Sequence, residues 1–562
     1  MTRLRLSLSV CLALIGLLAP AAAHAAPEPG INVSLPFTSA DLQNVKDSGA
    51  KTARFFMFTS NTPSQFDGPV AELASIGVKP IFVVIGDATN PPRTPDAISQ
   101  YASFISGAAA HFKGQAAGWE IWNEEDAPKW WAGMPNLDED HPNRDASQYV
   151  PLLKAAYTAV KAVDPATPVI VGGLTGNDYK FVQSIYDNGG AGSFDVVATH
   201  TDTGCAISSP YGYFRDTPGG PISQWSFLGY RSVHDVMAAH GDGDKPIWLT
   251  EMGWSSYTGT CQVGKWAGQK AAGVSEADQA KFTTEAFHCM SQDAYVAKAL
   301  LFTLNESNSN SDPMDVHYGA VRSDGSRKPL FGALSTFASS GDTLPSSEAC
   351  GDFQPPAITI SAPTDGGVFA GALTITASAT DSSGVPRISL FVDGQSASNL
   401  IRNFTSAGAT PPTTMSGTIG WQGAKKLSLG QHKITIVALD PMGNQSSKTV
   451  TVTKVDPKKL PAVKTALRIK VSGKGAKRVL RVQIKPKAKG LTNVLGKIQV
   501  IFAKRVKGGW RIAHRYGSMA KGYDRHSRVF SVKLEHAAWR VLVTYTGSPG
   551  YASSTSRLTF KI

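Results

Sequence analysis

The sequence predicts a multidomain chain: an eight-stranded parallel (β/α)8 TIM barrel followed by two all-β sandwiches. Three observations lead there. From Gly30 to about Ala338, eight short β-branched runs alternate with eight amphipathic stretches. Residues 341–356, rich in Ser, Gly and Pro, then break the alternation, and Asp456–Leu460 forms a second break. Beyond the first break the helical period disappears, and short strands separated by turn signals take over.

Residues 1–25 read as a signal peptide. Arg3 and Arg5 precede the apolar run Leu6–Leu18, and Ala23-His24-Ala25 supplies a small-x-small cleavage pattern, so the mature chain is expected to begin at Ala26. The run is too short to span a bilayer and no transmembrane anchor is expected, which makes the protein secreted. The barrel domain is assigned to residues 26–340. Its strands are read at Ile31–Val33, Thr52–Met57, Pro80–Ile85, Gly118–Trp122, Pro168–Val171, Phe194–His200, Pro246–Glu251 and Ala297–Thr303. Its helices are read at Ala40–Ser48, Val70–Ile76, Asp96–Phe112, Ala146–Val163, Asp178–Asp187, Ser223–Ala239, Glu276–Gln292 and Leu330–Phe337. Continuous apolar strands suit a parallel barrel buried on both faces. An open dinucleotide-binding sheet is disfavoured, because no Gly-x-Gly-x-x-Gly turn follows the first strand. Residues 357–455 and 461–562 each carry about seven strand-like runs.

The charge is unevenly placed. The 562 residues hold 55 Lys+Arg and 43 Asp+Glu, a net of +12. From Lys458 to Ile562 there are 25 basic residues against only Asp524 and Glu535, a local net of +23, and the rest of the chain is at −11. A basic stripe along the whole molecule is therefore excluded. Cys11 leaves with the signal, so Cys205, Cys261, Cys289 and Cys350 remain, with three ways to pair. Strand order puts Cys205 and Cys261 in adjacent loops, and it puts Cys289 in the seventh helix and Cys350 in the linker behind the eighth, which favours those two pairs. No Cys/His cluster has metal spacing, so neither a metal nor a cofactor is expected.

In such a barrel the chemistry sits at the C-terminal ends of the strands. The fourth ends in Trp119-Glu120-Ile121-Trp122-Asn123-Glu124-Glu125 and the seventh in Leu249-Thr250-Glu251-Met252-Gly253-Trp254. Two carboxylates across one mouth suit glycoside hydrolysis, one as acid/base and one as nucleophile.

These two motifs, over residues 30–340, resemble the clan A retaining glycoside hydrolases, families 5 and 39 being the nearest. The resemblance implies that Glu124 is the acid/base, Glu251 the nucleophile, and Asn123 the contact to the sugar 2-hydroxyl. Arg54, ending strand two, matches the arginine that keeps the nucleophile charged. A cation there would depress the carboxyl pKa of Glu251, while burial would raise that of Glu124. His200 ends strand six where the clan often has His-x-Tyr. The third residue here is Asp202, so the clan's tyrosine is either missing or supplied by another loop, through Tyr211 or Tyr213. Strand eight reads Phe302-Thr303-Leu304-Asn305-Glu306 in place of the clan's tryptophan.

Other residues are weighed on chemistry alone. Trp130 and Trp131 lie in a loop above the mouth and Trp254 follows Glu251, and exposed indoles there would stack on sugar faces. At least one of Trp119 and Trp122 should be core. Glu125, Asp126 and Asp138–Asp140 read as a solvated loop and Asp87 as a helix cap or cleft residue, while Glu306 could be a third cleft carboxylate but is not counted among the site residues. Leu429–Asn444 resembles bacterial immunoglobulin-like modules, and Trp539–Tyr551 looks like the end of another. The basic last domain is expected to bind an anionic cell-wall or extracellular polymer, without sequence-specific nucleic-acid reading. The expected function is therefore a secreted retaining glycoside hydrolase acting on a β-linked polysaccharide or oligosaccharide. A non-catalytic carbohydrate-binding barrel and an adhesin or matrix protein remain as alternatives.

Overall fold

A computed structural model describes residues 26–135, 144–201, 205, 209–261, 267–269, 271–306, 313–397, 402–403, 410–456, 463–486, 496–520, 527–547 and 551–562. The expected signal peptide, Asp138–Asp140 and Asp202 lie outside the described residues. The chain divides into two compact units, one made of residues up to Tyr213 with Ile222–Gly351, the other of Phe214–Pro221 with Asp352–Ile562.

The first unit is the closed eight-stranded barrel. Its strands are β1 (Glu28–Asn32), β2 (Thr52–Phe58), β3 (Lys79–Ile85), β4 (Gly118–Asn123), β5 (Val169–Leu174), β6 (Val196–His200), β7 (Ile247–Met252) and β8 (Val296–Leu301). Each pairs in parallel with the next, and β1 closes on β8. The helices are α1 (Ser39–Ser48), α2 (Asp67–Ser75), α3 (Pro95–His111), α4 (Val150–Val163), α5 (Tyr179–Asp187), α6 (Tyr230–Ala239), α7 (Glu276–Ser291) and α8 (Pro329–Ser340).

Local signals explain the helix starts. Thr38 and Asp41 form a reciprocal capping box on α1, and Thr94 and Ser275 cap α3 and α7 with their hydroxyls. Two helices begin later than their sequence period suggests. Pro151 lies in the first turn of α4, where its missing N–H costs nothing, so the helix starts at Val150 and not Ala146. Before α6, residues 223–229 form turns and a 3-10 segment at Phe227–Gly229.

Every residue of β4, β5 and β7 is buried, as a sheet covered on both faces requires. The barrel interior is filled by Ile81, Ile170, Val196, Ala198, Trp248 and Leu300. Gly118 makes room for them, since a Cβ there would stand 2.6 Å from Ile170 and 3.0 Å from the Trp248 ring. Both expected disulfides, Cys205–Cys261 and Cys289–Cys350, are formed. No helix among the described residues is long and apolar enough to cross a membrane.

The second unit is all β. Strands β9 (Ala357–Ala362), β11 (Leu373–Thr380) and β15 (Thr414–Trp421) make one sheet. Strands β10 (Gly367–Phe369), β12 (Arg387–Val392), β13 (Gln395–Ser396), β14 (Arg402–Asn403), β16 (Gly430–Leu439) and β17 (Gln445–Lys454) make another. Alternation along β11 sends Leu373, Ile375, Ala377 and Ala379 into the shared core. The Asp393-Gly394 turn has φ of 50° and 80°, the left-handed pair a two-residue hairpin needs.

Strands β18 (Thr465–Ser472), β19 (Lys477–Pro486) and β22 (Ser527–Lys533) form a third sheet. Strands β20 (Gly496–Val506), β21 (Gly509–Ala520), β23 (Ala538–Tyr545) and β24 (Ser554–Lys561) form a fourth. Phe502, Trp539 and Tyr545 anchor the core between these two sheets.

Candidate active site

Parallel strands deliver Asn32, Arg54, Glu120, Asn123, His200 and Glu251 to one buried cluster. Arg54, 1% exposed, is its hub. Its Nε donates to Glu120 Oε2 at 2.7 Å and its Nη2 to Glu120 Oε1 at 3.1 Å, a bidentate pair. Nη1 donates to Asn32 Oδ1 at 2.9 Å and to Glu251 Oε1 at 2.5 Å. Nη2 also donates to Asn123 Oδ1 at 2.8 Å. Burial works against the guanidinium charge, but the charges of Glu120 and Glu251 outweigh it, and the Arg54 pKa rises above its already high ordinary value. The bond from Arg54 also orients the Asn123 amide. Its oxygen accepts from Arg54, so its Nδ2 stays available as a donor.

Sequence reasoning missed Glu120. It accepts from Gly173 N at 2.8 Å and Thr250 Oγ1 at 3.1 Å besides Arg54, so its lone pairs are well satisfied. The signal was present, because a glutamate inside a strand buried on both faces requires a cation inside another strand.

The backbone turns sharply where Glu124 leaves β4. Trp122 and Glu124 have φ of 75° and 47°, both left-handed and neither a glycine. Each costs roughly 1–3 kcal/mol, and such residues cluster at functional sites. The turn is held by Glu124 N donating to Gly173 O at 2.9 Å and Trp122 Nε1 donating to Trp130 O at 2.8 Å. The Glu124 side chain is left 16% exposed and that of Glu251 8%, so each keeps some access to solvent.

His200 lies between them. Its Nδ1 is 3.0 Å from Glu124 Oε1 and 3.7 Å from Glu251 Oε2. Gly173 is needed here, since a Cβ would sit 2.0 Å from His200 Nε2. Burial alone would lower the imidazole pKa, but Glu251 and then Glu124 push it up to about 9. An unfolded histidine titrates near 6.5. The stabilisation from this contact is therefore complete below about pH 6.5 and lost as pH rises through about 9. Barrel stability is expected to decline across that window, and His200→Gln is expected to remove that part of the decline. An equally steep decline in the variant would exclude His200 as its source.

Several expectations change. Trp131, 0% exposed, packs edge-on against Trp122 and Tyr149, and Trp254, 2% exposed, packs tilted against Phe227 and edge-on against Phe282. Neither has a face open to a sugar, because the barrel rim closes over both. Trp130 is half-buried and stacks on Phe56 at 5.9 Å, and Phe56 stacks on Phe58 at 6.3 Å. Phe56 and Phe58 follow Arg54 at strand period two, the signal that sequence reasoning passed over. Trp119 and Trp122 are both fully buried.

Glu125 and Asp126 are 0% and 1% exposed and do not form a solvated loop. Gly172 leaves the space, since a Cβ there would stand 2.1 Å from Glu125 Oε2. Burial, with Asp126 adding to it, pushes the Glu125 carboxyl well above the usual carboxylate range, and burial beside Asp178 does the same to Asp126. Glu306 is not a free cleft carboxylate, because Lys328 holds it at 2.5 Å. Asp87 is exposed and accepts from the backbone and hydroxyl of Thr89 in a local turn. The Tyr211 hydroxyl donates to Glu348 at 2.7 Å, and Tyr213 is buried.

The fold has known likenesses. The chain is similar to a family 39 glycoside hydrolase from the gut symbiont Bacteroides cellulosilyticus WH2, at 18% identity and a TM-score of 0.45, over 71% of this chain and 79% of that one. It is similar to a family 39 β-xylosidase from Caulobacter crescentus at 16% identity and a TM-score of 0.41, over 65% and 84%. It is also similar to a β-glucuronidase from Parabacteroides merdae at 13% identity and a TM-score of 0.35, over 95% of this chain but only 62% of that one, less than two thirds of its length. No curated protein sequence matches the chain. The bacterial Ig domain family matches residues 356–436, so the all-β part that follows the barrel opens with a bacterial Ig domain.

Proposed function

We propose that the chain is a retaining glycoside hydrolase acting on a β-linked polysaccharide or oligosaccharide. The observation that carries this is one imidazole nitrogen within 3.0 Å of Glu124 and 3.7 Å of Glu251. The gap between those two carboxylate oxygens cannot exceed the sum of the two distances. That limit admits the ~5–5.5 Å of retaining pairs and leaves out all but the lower edge of the ~6.5–9.5 Å of inverting pairs.

In the first step Glu124 gives its proton to the glycosidic oxygen while Glu251 attacks the anomeric carbon. The glycosidic bond breaks, the leaving sugar departs as an alcohol, and an ester to Glu251 forms. In the second step Glu124 takes a proton from water, whose oxygen displaces Glu251. Arg54 Nη1 donates to Glu251 Oε1 and so orients that carboxyl group for attack. Asn123 offers its Nδ2 to the sugar 2-hydroxyl, and the wall of Phe58, Phe56 and Trp130 offers apolar surface to a sugar face. Two left-handed, non-glycine residues around Glu124 favour a catalytic over a merely sugar-binding barrel, because such strain clusters at functional sites. The two disulfides favour an oxidising compartment and hence export. The basic last domain suits retention on an anionic polymer.

The test is the stereochemistry of the first product. Hydrolysis of aryl β-glycosides followed by proton NMR is expected to give the β-hemiacetal before mutarotation. Initial release of the α-anomer would replace the double displacement with a single one.

A further inference from the structure

The outward face of the sheet β18–β19–β22 carries a charge arrangement that folding alone does not explain. Alternation along β18 buries the Leu467 and Ile469 side and exposes Arg468 and Lys470. Along β19 it buries Leu480, Val482 and Ile484, leaving Lys477, Arg481 and Lys485 outward, and along β22 it leaves Lys533 outward. Register places like charges directly opposite one another, Lys470 against Arg481 and Lys477 against Lys533. Directly opposed like charges weaken a sheet. Among the described residues of 463–562 the one acidic side chain is Glu535, and it pairs with Lys504. The six cations thus lack a carboxylate within their own domain, apart from Asp524, which lies outside the described residues.

We propose that this face docks a linear, carboxylate-bearing polysaccharide, so that the chain holds a uronate-containing glycan. The ligand class follows from what the face offers and lacks. β19 is hydrogen-bonded on both sides, to β18 and β22, so its backbone presents no cluster of free N–H groups of the kind that cradles phosphate. Among the described residues of its strands the face has no aromatic platform for stacking nucleobases. It has side-chain cations, with Val479 and Val529 exposed at 37% and 50% among them. A sugar ring with an apolar face and a carboxylate edge suits that mixture. The choice of a glycan over other polyanions also rests on the glycosidase reading of the barrel, since docking the substrate polymer raises its effective concentration at a tethered site.

The full chain is tested for retention on immobilised polygalacturonate, with a neutral glucan, inorganic polyphosphate and duplex DNA in parallel, over a range of NaCl. Binding is expected to polygalacturonate first, and to weaken as salt rises. Lys470→Glu with Lys533→Glu turns both repulsive pairs attractive, so the melting temperature holds or rises while affinity drops at least about tenfold at low salt. The neutralising pair Lys470→Gln with Arg481→Gln is expected to lose affinity in the same direction. Unchanged binding in both double variants, or tighter binding of polyphosphate or DNA than of polygalacturonate, overturns the proposal. Turnover of a small neutral aryl glycoside reports on the barrel separately. Binding without turnover removes the glycosidase reading and keeps the docking face, while turnover without binding does the reverse.

Discussion

Glu251→Ala is expected to abolish turnover on every glycoside, and Glu124→Gln to abolish it selectively. Without Glu251 no ester can form, and the loss should be on the order of 10⁴-fold or more whatever the leaving group. Arg54 and Asn32 remain in that variant, with Arg54 Nη1 no longer engaged by a carboxylate. A small anion such as formate or azide can occupy the vacated space and attack in one displacement. Added azide is therefore expected to restore part of the rate and to yield an α-configured glycosyl azide.

The Glu124→Gln variant behaves differently. An alkyl or sugar leaving group needs the proton, so kcat should fall by about 10²–10⁴-fold. A dinitrophenolate leaves unaided, so the first step survives while the second, which needs Glu124 as base, stalls. A burst followed by slow turnover, with a lowered KM, is the expected record. Equal losses of Glu124→Gln on both kinds of substrate would mean that Glu124 does not protonate the leaving group. Retained turnover in Glu251→Ala would move the nucleophile elsewhere.

The parts of this site that were legible are those tied to strand order. Eight apolar runs bounded by turns place Glu124 and Glu251 at two strand mouths, and a parallel barrel brings those mouths together. The same order makes the loops of Cys205 and Cys261 neighbours. What was not legible depends on the direction of a side chain. Trp130 and Trp131 are adjacent in sequence, yet one stacks on Phe56 at the mouth and the other is sealed against Trp122 and Tyr149. The left-handed turn at Trp122 and Glu124, which leads into their loop, was announced by no residue type either, since neither is a glycine. The burial of Glu125 and Asp126 was equally unannounced. A polar run reads as solvated until a glycine on the neighbouring strand, Gly172, opens space for it.

Arg54→Met is expected to cost the barrel more stability than any surface change. The guanidinium is fully buried and holds two carboxylates, Glu120 at 2.7 Å and Glu251 at 2.5 Å. Removing it orphans both, and breaking a buried pair in this way typically costs about 3–5 kcal/mol. Activity should vanish with it, but stability and activity can be separated by a second change. In Arg54→Met with Glu120→Gln, one orphaned charge is gone, and the amide can still accept from Gly173 N and Thr250 Oγ1. The double variant is expected to recover a substantial part of the lost stability and none of the turnover, because Glu251 still lacks its cation. Denaturant melts followed by the barrel's tryptophans, run on the parent, both single variants and the double variant, give the coupling energy directly. A coupling near zero would mean that Arg54 and Glu120 act independently. It would also mean that the glutamate buried in β4 is held in the barrel by something other than this arginine.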